Sequence, residues 1–222
     1  MRLPVLACTA VLALALTANA QLSSDESTLQ GRVTGQTLTS PELPGLSLDF
    51  AKSFAYGGGQ RFILYGVAVA EQHFFVETSV DGLLRRFYWV QFEHYLPTNQ
   101  SHYRYNPERV AKIGDFDFIT DTRVFAHYFG TPSKPDSDSA KAKAFFAAKG
   151  YRMPDAIVRA RCFYLPDSSN RSELMIIYGE ALSQADLDGT AIPAEESADV
   201  KFPKLAAKVI EHVGSGVSIR RR

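Results

Sequence analysis

The pattern of apolar and polar positions in this chain predicts mainly β-strands. Its densest stretch is residues 83–96, Leu-Leu-Arg-Arg-Phe-Tyr-Trp-Val-Gln-Phe-Glu-His-Tyr-Leu. Aromatic and β-branched side chains suit a pleated surface, so this stretch reads as one long strand. It is apolar on both faces, and such a strand is usually covered on both sides, which places it at the centre of the fold. Arg61 to Val69 and Gln72 to Ser79 read as two more strands, the second joined to the aromatic strand through the Asp81-Gly82 turn signal. The three are expected to form an antiparallel meander. Leu46 to Tyr56 fits either a strand or a helical i, i+4 series through Leu46, Phe50 and Phe54. Gly57-Gly58-Gly59, read as a turn, favours a strand on each side of it.

Beyond Pro97, Thr98 to Pro107 is a polar connection and Glu108 to Ile113 reads as a short helical turn. Asp115 to Phe129 reads as a strand broken near Thr120. Asp136 or Ser137 caps a helix that runs to Lys149 and is stopped by Gly150, with Ala144, Phe145 and Ala148 on its apolar face. Ala156 to Leu165 and Glu173 to Leu182 form a hairpin. A last helix spans Ser197 to Val213, with Val200, Leu205, Val209, Ile210 and Val213 as its buried stripe. The expected fold class is therefore α+β. Residues 46–222 form one domain with a mainly antiparallel sheet of six or seven strands and two packing helices. The doubly apolar central strand favours a helix–sheet–helix sandwich; a curved half-barrel around a helix is the alternative.

The N-terminus changes the picture of where the chain works. Arg2, the apolar run Val5 to Leu16 and the small-x-small Ala18-Asn19-Ala20 have the parts of a secretory signal, too short to span a bilayer. Residues 1–20 are thus expected to be removed near Ala20, leaving the protein in the periplasm or outside the cell without a transmembrane anchor. Cys8 lies at the start of the apolar run, where a lipid-attachment cleavage would waste it. Residues 21–45, rich in Ser, Thr, Gly, Gln and Pro, read as a flexible N-terminal arm, with one short strand from Gly31 to Leu38.

The chain carries 24 basic and 24 acidic residues and shows no basic face, so a nucleic-acid partner is not expected. Arg220-Arg221-Arg222 reads as a solvated end. Removal of Cys8 leaves Cys162 alone, on the apolar parity of its strand, which points to a small buried hydrophobe rather than a nucleophile.

Candidate chemistry is dispersed. Glu93 and His94 are adjacent on one strand and face opposite ways, so they form no dyad; His73 and Glu77 share a parity, and cross-strand pairing is expected to bring His94 near one of them. His102 and His127 add no ligand spacing, and no metal or cofactor is implied. The triple glycine precedes a strand, not a helix, so it is no phosphate cradle. Asp115, Asp117 and Asp121, with Arg123 nearby, read as a solvated strand face with an Asp–Arg pair. Asn99-Gln100-Ser101 and Asn170-Arg171-Ser172 match the glycosylation acceptor pattern. On the aromatic strand Arg85, Phe87, Trp89, Gln91 and Tyr95 share one side and mix rings with hydrogen-bonding groups, as a ligand-binding platform would; core packing under a helix is the plainer account of that side.

The leading expectation is an exported non-enzymatic binding or accessory domain that recognises a small apolar or aromatic ligand. One alternative is an exported hydrolase or metal-dependent enzyme with dispersed site residues. Another is an envelope assembly partner that offers a strand edge or the N-terminal arm to a second envelope protein.

Overall fold

A computed structural model describes residues 28–43, 45–106 and 109–221. The expected leader, its cleavage site and Cys8 lie outside the described residues. In chain order the elements begin with three strands, β1 (Arg32–Thr34), β2 (Thr37–Thr39) and β3 (Leu46–Phe50). Three long strands follow, β4 (Ala55–Leu64), β5 (Ala68–Thr78) and β6 (Leu84–Tyr95). Next come β7 (Val110–Ile113), β8 (Phe116–Ala126) and the helix α1 (Asp138–Ala148). The strands β9 (Ala156–Tyr164) and β10 (Ser172–Ala181) precede β11 (Glu196–Ser197). The chain closes with α2 (Ala198–Lys201), α3 (Pro203–Gly216) and β12 (Val217–Arg221).

The strands form two sheets. The larger runs β11-β8-β9-β10-β6-β5-β4 with β7 added on β8, and the smaller runs β1-β2-β3-β12. Every pairing of these strands is antiparallel. The protein is thus mostly antiparallel sheet with few helices, as its patterning predicts. Among the described residues there are twelve strands rather than six or seven. The extra ones are short or belong to segments read as arm, helical turn or solvated end.

The aromatic strand β6 lies between β10 and β5, and both of its faces are buried. Phe87 and Trp89 join Phe74, Met175 and Ile177 on one face, against Phe146 of α1. Tyr88, Val90 and Phe92 face the opposite way, into a core shared with Phe50 of β3 and Val209 and Val213 of α3. The Tyr88 hydroxyl donates to the carbonyls of His212 at 3.1 Å and Val213 at 2.9 Å, which ties the end of α3 to the sheet.

Several local expectations give way to the observed register. The triple glycine is not a turn but part of β4, which pairs with β5 and has an irregularity at Tyr56/Gly58. Gly58 has φ +114°, and a Cβ on Gly59 would lie 2.6 Å from the Gln72 carbonyl oxygen, so glycine is what lets this edge strand bulge and pass close to β5. The turn comes later, at Tyr65 and Gly66 with φ of 51° and 72°, and it divides the stretch read as one strand from Arg61 to Val69. Two consecutive positive φ values match a type I′ hairpin, which Tyr at the first position does not advertise. Val110–Ile113 is a strand, not a helical turn, and β8 continues through Thr120 because β7 pairs with its first half and β9 with the rest.

The helix α1 is capped by Ser137, whose side chain accepts from the Ala140 amide at 3.1 Å. Ala142 and Phe146 are its buried residues; Ala144 and Ala148 are exposed. Two adjacent phenylalanines among alanines and lysines leave the phase of such a helix open. The last helix is broken at Pro203, which cannot donate to the preceding turn and begins α3 instead. Leu205, Val209 and Val213 are buried, whereas Val200 is 76% exposed. The C-terminal arginines extend β12 along β3, where Arg220 pairs with Asp49 at 2.6 Å and Arg221 lies over the Phe116 ring. The segment read as an arm carries the β1–β2 hairpin, anchored by the fully buried Leu38.

Candidate functional site

The residues expected to form a ligand platform do not make one open surface. Phe87, Trp89 and Gln91 are buried beneath α1, Arg85 is exposed and Tyr95 is half-buried, stacked on Tyr103 at 4.5 Å. This face of the sheet instead turns polar along its length. Trp89 Nε1 and Gln72 Nε2 both donate to Gln91 Oε1, at 3.2 and 2.8 Å. Gln60 donates to Gln72 at 2.6 Å, and Gln72 also donates to the Asp138 carbonyl at the start of α1. Gln91 Nε2 donates to Glu93 at 2.7 Å, and the Tyr103 hydroxyl donates to the other Glu93 oxygen at 2.6 Å.

Glu173 of β10 lies directly opposite Glu93 of β6 and accepts from the Tyr105 hydroxyl. Both carboxyls are buried, and directly opposed side chains have Cβ atoms about 5 Å apart. Burial pushes Glu173 up to about 8, and the neighbouring Glu93 adds to the rise. Glu93 is raised as well, by burial first, against hydrogen bonds from Tyr103 and Gln91. The two titrate as a coupled pair that holds a proton near neutrality. Each residue of this network has a hydrogen-bond partner within it, and Tyr103 and Tyr105 roof the pair. It locks the 97–106 connection to the sheet rather than presenting an acid to a substrate.

On the opposite face a second cluster centres on β5. His73 Nε2 lies 2.8 Å from Glu71 Oε1, and the Tyr56 hydroxyl lies 3.0 Å from His73 Nδ1. The Glu71 carboxylate also accepts from the Gln30 and Gly31 amides at 2.7 and 2.6 Å. Burial works to raise the Glu71 carboxyl, but the bonds from His73 and the two amides outweigh it and leave it lowered. Tyr56 is pushed up to about 12 by burial and by Glu71, so its hydroxyl stays protonated. A carboxylate–imidazole–hydroxyl chain invites a catalytic reading. Here the N-terminal backbone seals it: a Cβ on Gly31 would sit 2.5 Å from His73 Nε2. The register sets His73 opposite Val90 and His94 opposite Val69, and His94 pairs with Glu42 at 3.1 Å, so the two histidines do not converge. Glu77 is taken by Arg86.

An accessible concavity lies elsewhere on the α1 face. A cavity of about 340 Å³ opens between β8, β9, the first half of α1 and the turn after Ala126. Phe125 and Tyr128 form its aromatic wall, with Ser133, Ser139, Lys143 and Arg159 around it. The Arg159 guanidinium lies 4.8 Å from the Phe125 ring centre and 5.6 Å from that of Tyr128. Lys143 Nζ donates to the Thr131 carbonyl at 2.8 Å and stands 4.3 Å over Tyr128. Arg159 lies on the parity opposite Cys162, the polar one in an alternating strand. That parity becomes buried only because α1 covers it, a fact of tertiary packing.

The remaining candidates resolve simply. Asp121 is bound by Arg161 rather than Arg123, through two contacts of 3.0 Å from Nε, because β8–β9 register sets them opposite each other. Asp117 pairs with Lys112 and Arg123 with Glu195. Cys162 is fully buried, and burial pushes its thiol up, followed by a smaller effect of Asp121. Among the described residues no group of three His, Cys, Asp or Glu side chains is arranged to hold a metal ion, and no helix is long and apolar enough to cross a membrane. No protein-family model, curated protein or solved structure matches the chain.

Proposed function

We propose that this protein is an exported, non-enzymatic binding domain that takes a small ligand with apolar or aromatic character in the cavity beside α1. The secretory pattern of residues 1–20 supports the export half of this reading. The observation that carries the binding half is the aromatic wall of Phe125 and Tyr128 on a cavity of about 340 Å³, within the size range that suits a small molecule. In this reading the large sheet is the middle layer of a helix–sheet–helix sandwich, and α1 does two jobs. It seals the Phe87–Trp89 core with Phe146 and borders the cavity with Ser139 and Lys143. The ligand therefore meets the next strands over, β8 and β9, not the aromatic centre of β6.

Both carboxylate clusters favour binding over hydrolysis as the function, because each is roofed by the chain's own backbone or tyrosines. The reading is tested by NMR titration of the protein with the neutral aromatic probe benzyl alcohol. Resonances of Phe125 and Tyr128 should shift, and Tyr128→Ala should abolish the effect. Shifts confined to other surfaces would overturn it.

A further inference from the structure

The charges around this cavity do not balance. Arg159 is only 8% exposed, and its Nε is shut off from solvent with no hydrogen-bond partner. A guanidinium has five N–H donors, and among the described residues neither a hydrogen bond nor an ion pair reaches any of those on Arg159. Strand register explains the vacancy. Its neighbours across β8 and β10 are Arg123 and Gly179, whereas Arg161, two residues on, has Asp121 opposite. Among the described residues Glu195 is the acidic group on the rim, and Arg123 holds it at 2.9 Å. Lys143 likewise has a backbone carbonyl and a ring for company but no carboxylate. Burial, and then the charge of Arg159, lower its pKa.

A buried charge without a counter-charge is unfavourable, because desolvation is not repaid by a partner. Stacking on Phe125 and Tyr128 offsets part of that and leaves the buried Nε without an acceptor. Guanidinium donors are matched in geometry by oxyanions, to which they donate in pairs. We infer that the cavity is built for an anion. Arg159, with Lys143 beside it, takes the oxyanion group of a small ligand, a carboxylate or a phosphate. The ligand's apolar or aromatic part lies against Phe125 and Tyr128. This rests on the binding reading above and adds the chemical class of the ligand to it.

Calorimetric titration with benzoate, phenyl phosphate and benzyl alcohol separates the two claims. At least one anion should bind about tenfold or more tightly than the neutral alcohol, the gain expected of charge-assisted hydrogen bonds. Whichever of benzoate and phenyl phosphate binds better identifies the headgroup. Arg159→Gln should bring the anions to within about twofold of the alcohol. Lys143→Gln, at a half-buried position on the helix, should weaken them by a smaller factor, and it serves if Arg159→Gln fails to fold, as Trp89 emission would report. Equal binding of alcohol and anions, unmoved by either substitution, would overturn the anion inference and leave the cavity reading standing. No binding of any of the three would overturn both.

Discussion

Replacing Glu173 by Gln should remove a defined part of the pH dependence of stability. In the folded protein Glu173 is raised from 4.5 to about 8, by burial and then by Glu93. Its folded-state pKa lies above the unfolded one, so the folded state binds the proton more tightly. The stabilisation is complete below pH 4.5 and is lost as pH rises through 8. Each pH unit between the two values is worth roughly 1.4 kcal/mol, so the whole loss is on the order of 5 kcal/mol if Glu173 acts alone. Glu93, opposite it, is raised as well, so the measured step belongs to the pair. Glutamine keeps the size of the side chain and an oxygen to accept from Tyr105, but it does not ionise. Urea unfolding followed by the emission of Trp89, the one tryptophan of the chain, gives stability at pH 5, 7 and 8.5. Emission of the folded protein should be blue-shifted, since Trp89 is 1% exposed. Parent and Glu173→Gln should have similar stability at pH 5, and the variant should be the more stable at pH 8.5. Parallel pH profiles would refute the coupled, proton-holding pair.

Two further outcomes follow from burial. Cys162 should resist a thiol reagent in the folded protein and label fully in denaturant, as read by mapping the modified peptide; fast native labelling would contradict its burial. Gly31→Ala should force the N-terminal backbone off the Glu71–His73 pair, because its new Cβ would lie 2.5 Å from His73 Nε2. It should lower stability by about 1–3 kcal/mol and open residues 28–31 to protease, while parent-like resistance would show that the segment is not clamped.

The legible parts of the fold were those in which one residue's neighbours decide its state. The Asp81-Gly82 turn, the Ser137 cap and the pairing of Ala156–Tyr164 with Ser172–Ala181 all follow from local chemistry, and each is found where it was expected. Features set by a distant partner were not legible. The triple glycine looks like a turn because glycine permits one. It serves instead the approach of Gln72 and the sides of α1, which lie far along the chain. The segment from Arg220 looks like a charged tail because arginine is soluble. It becomes a strand because β3 has an edge and Asp49 meets it.

The same distinction accounts for the position of the proposed anion site. A strand with Val158, Ala160 and Cys162 on one side and Arg159 and Arg161 on the other reads as half core and half solvent. That reading assigns both arginines to water and makes them equivalent. They differ only once β8 is set beside them: the register gives Arg161 an aspartate and Arg159 an arginine. A shift of that register by two residues would keep every side chain on its face. It would place Asp121 opposite Arg159 or opposite Phe163, and Arg159 in the first case would need no outside anion. The asymmetry between the two arginines thus resides in pairing, a level at which alternation alone is degenerate. For that reason the aromatic strand β6, which dominates the pattern, supplies the core. The proposed site falls to two unremarkable positions, Arg159 and Lys143, whose want of a counter-charge exists only in the assembled fold.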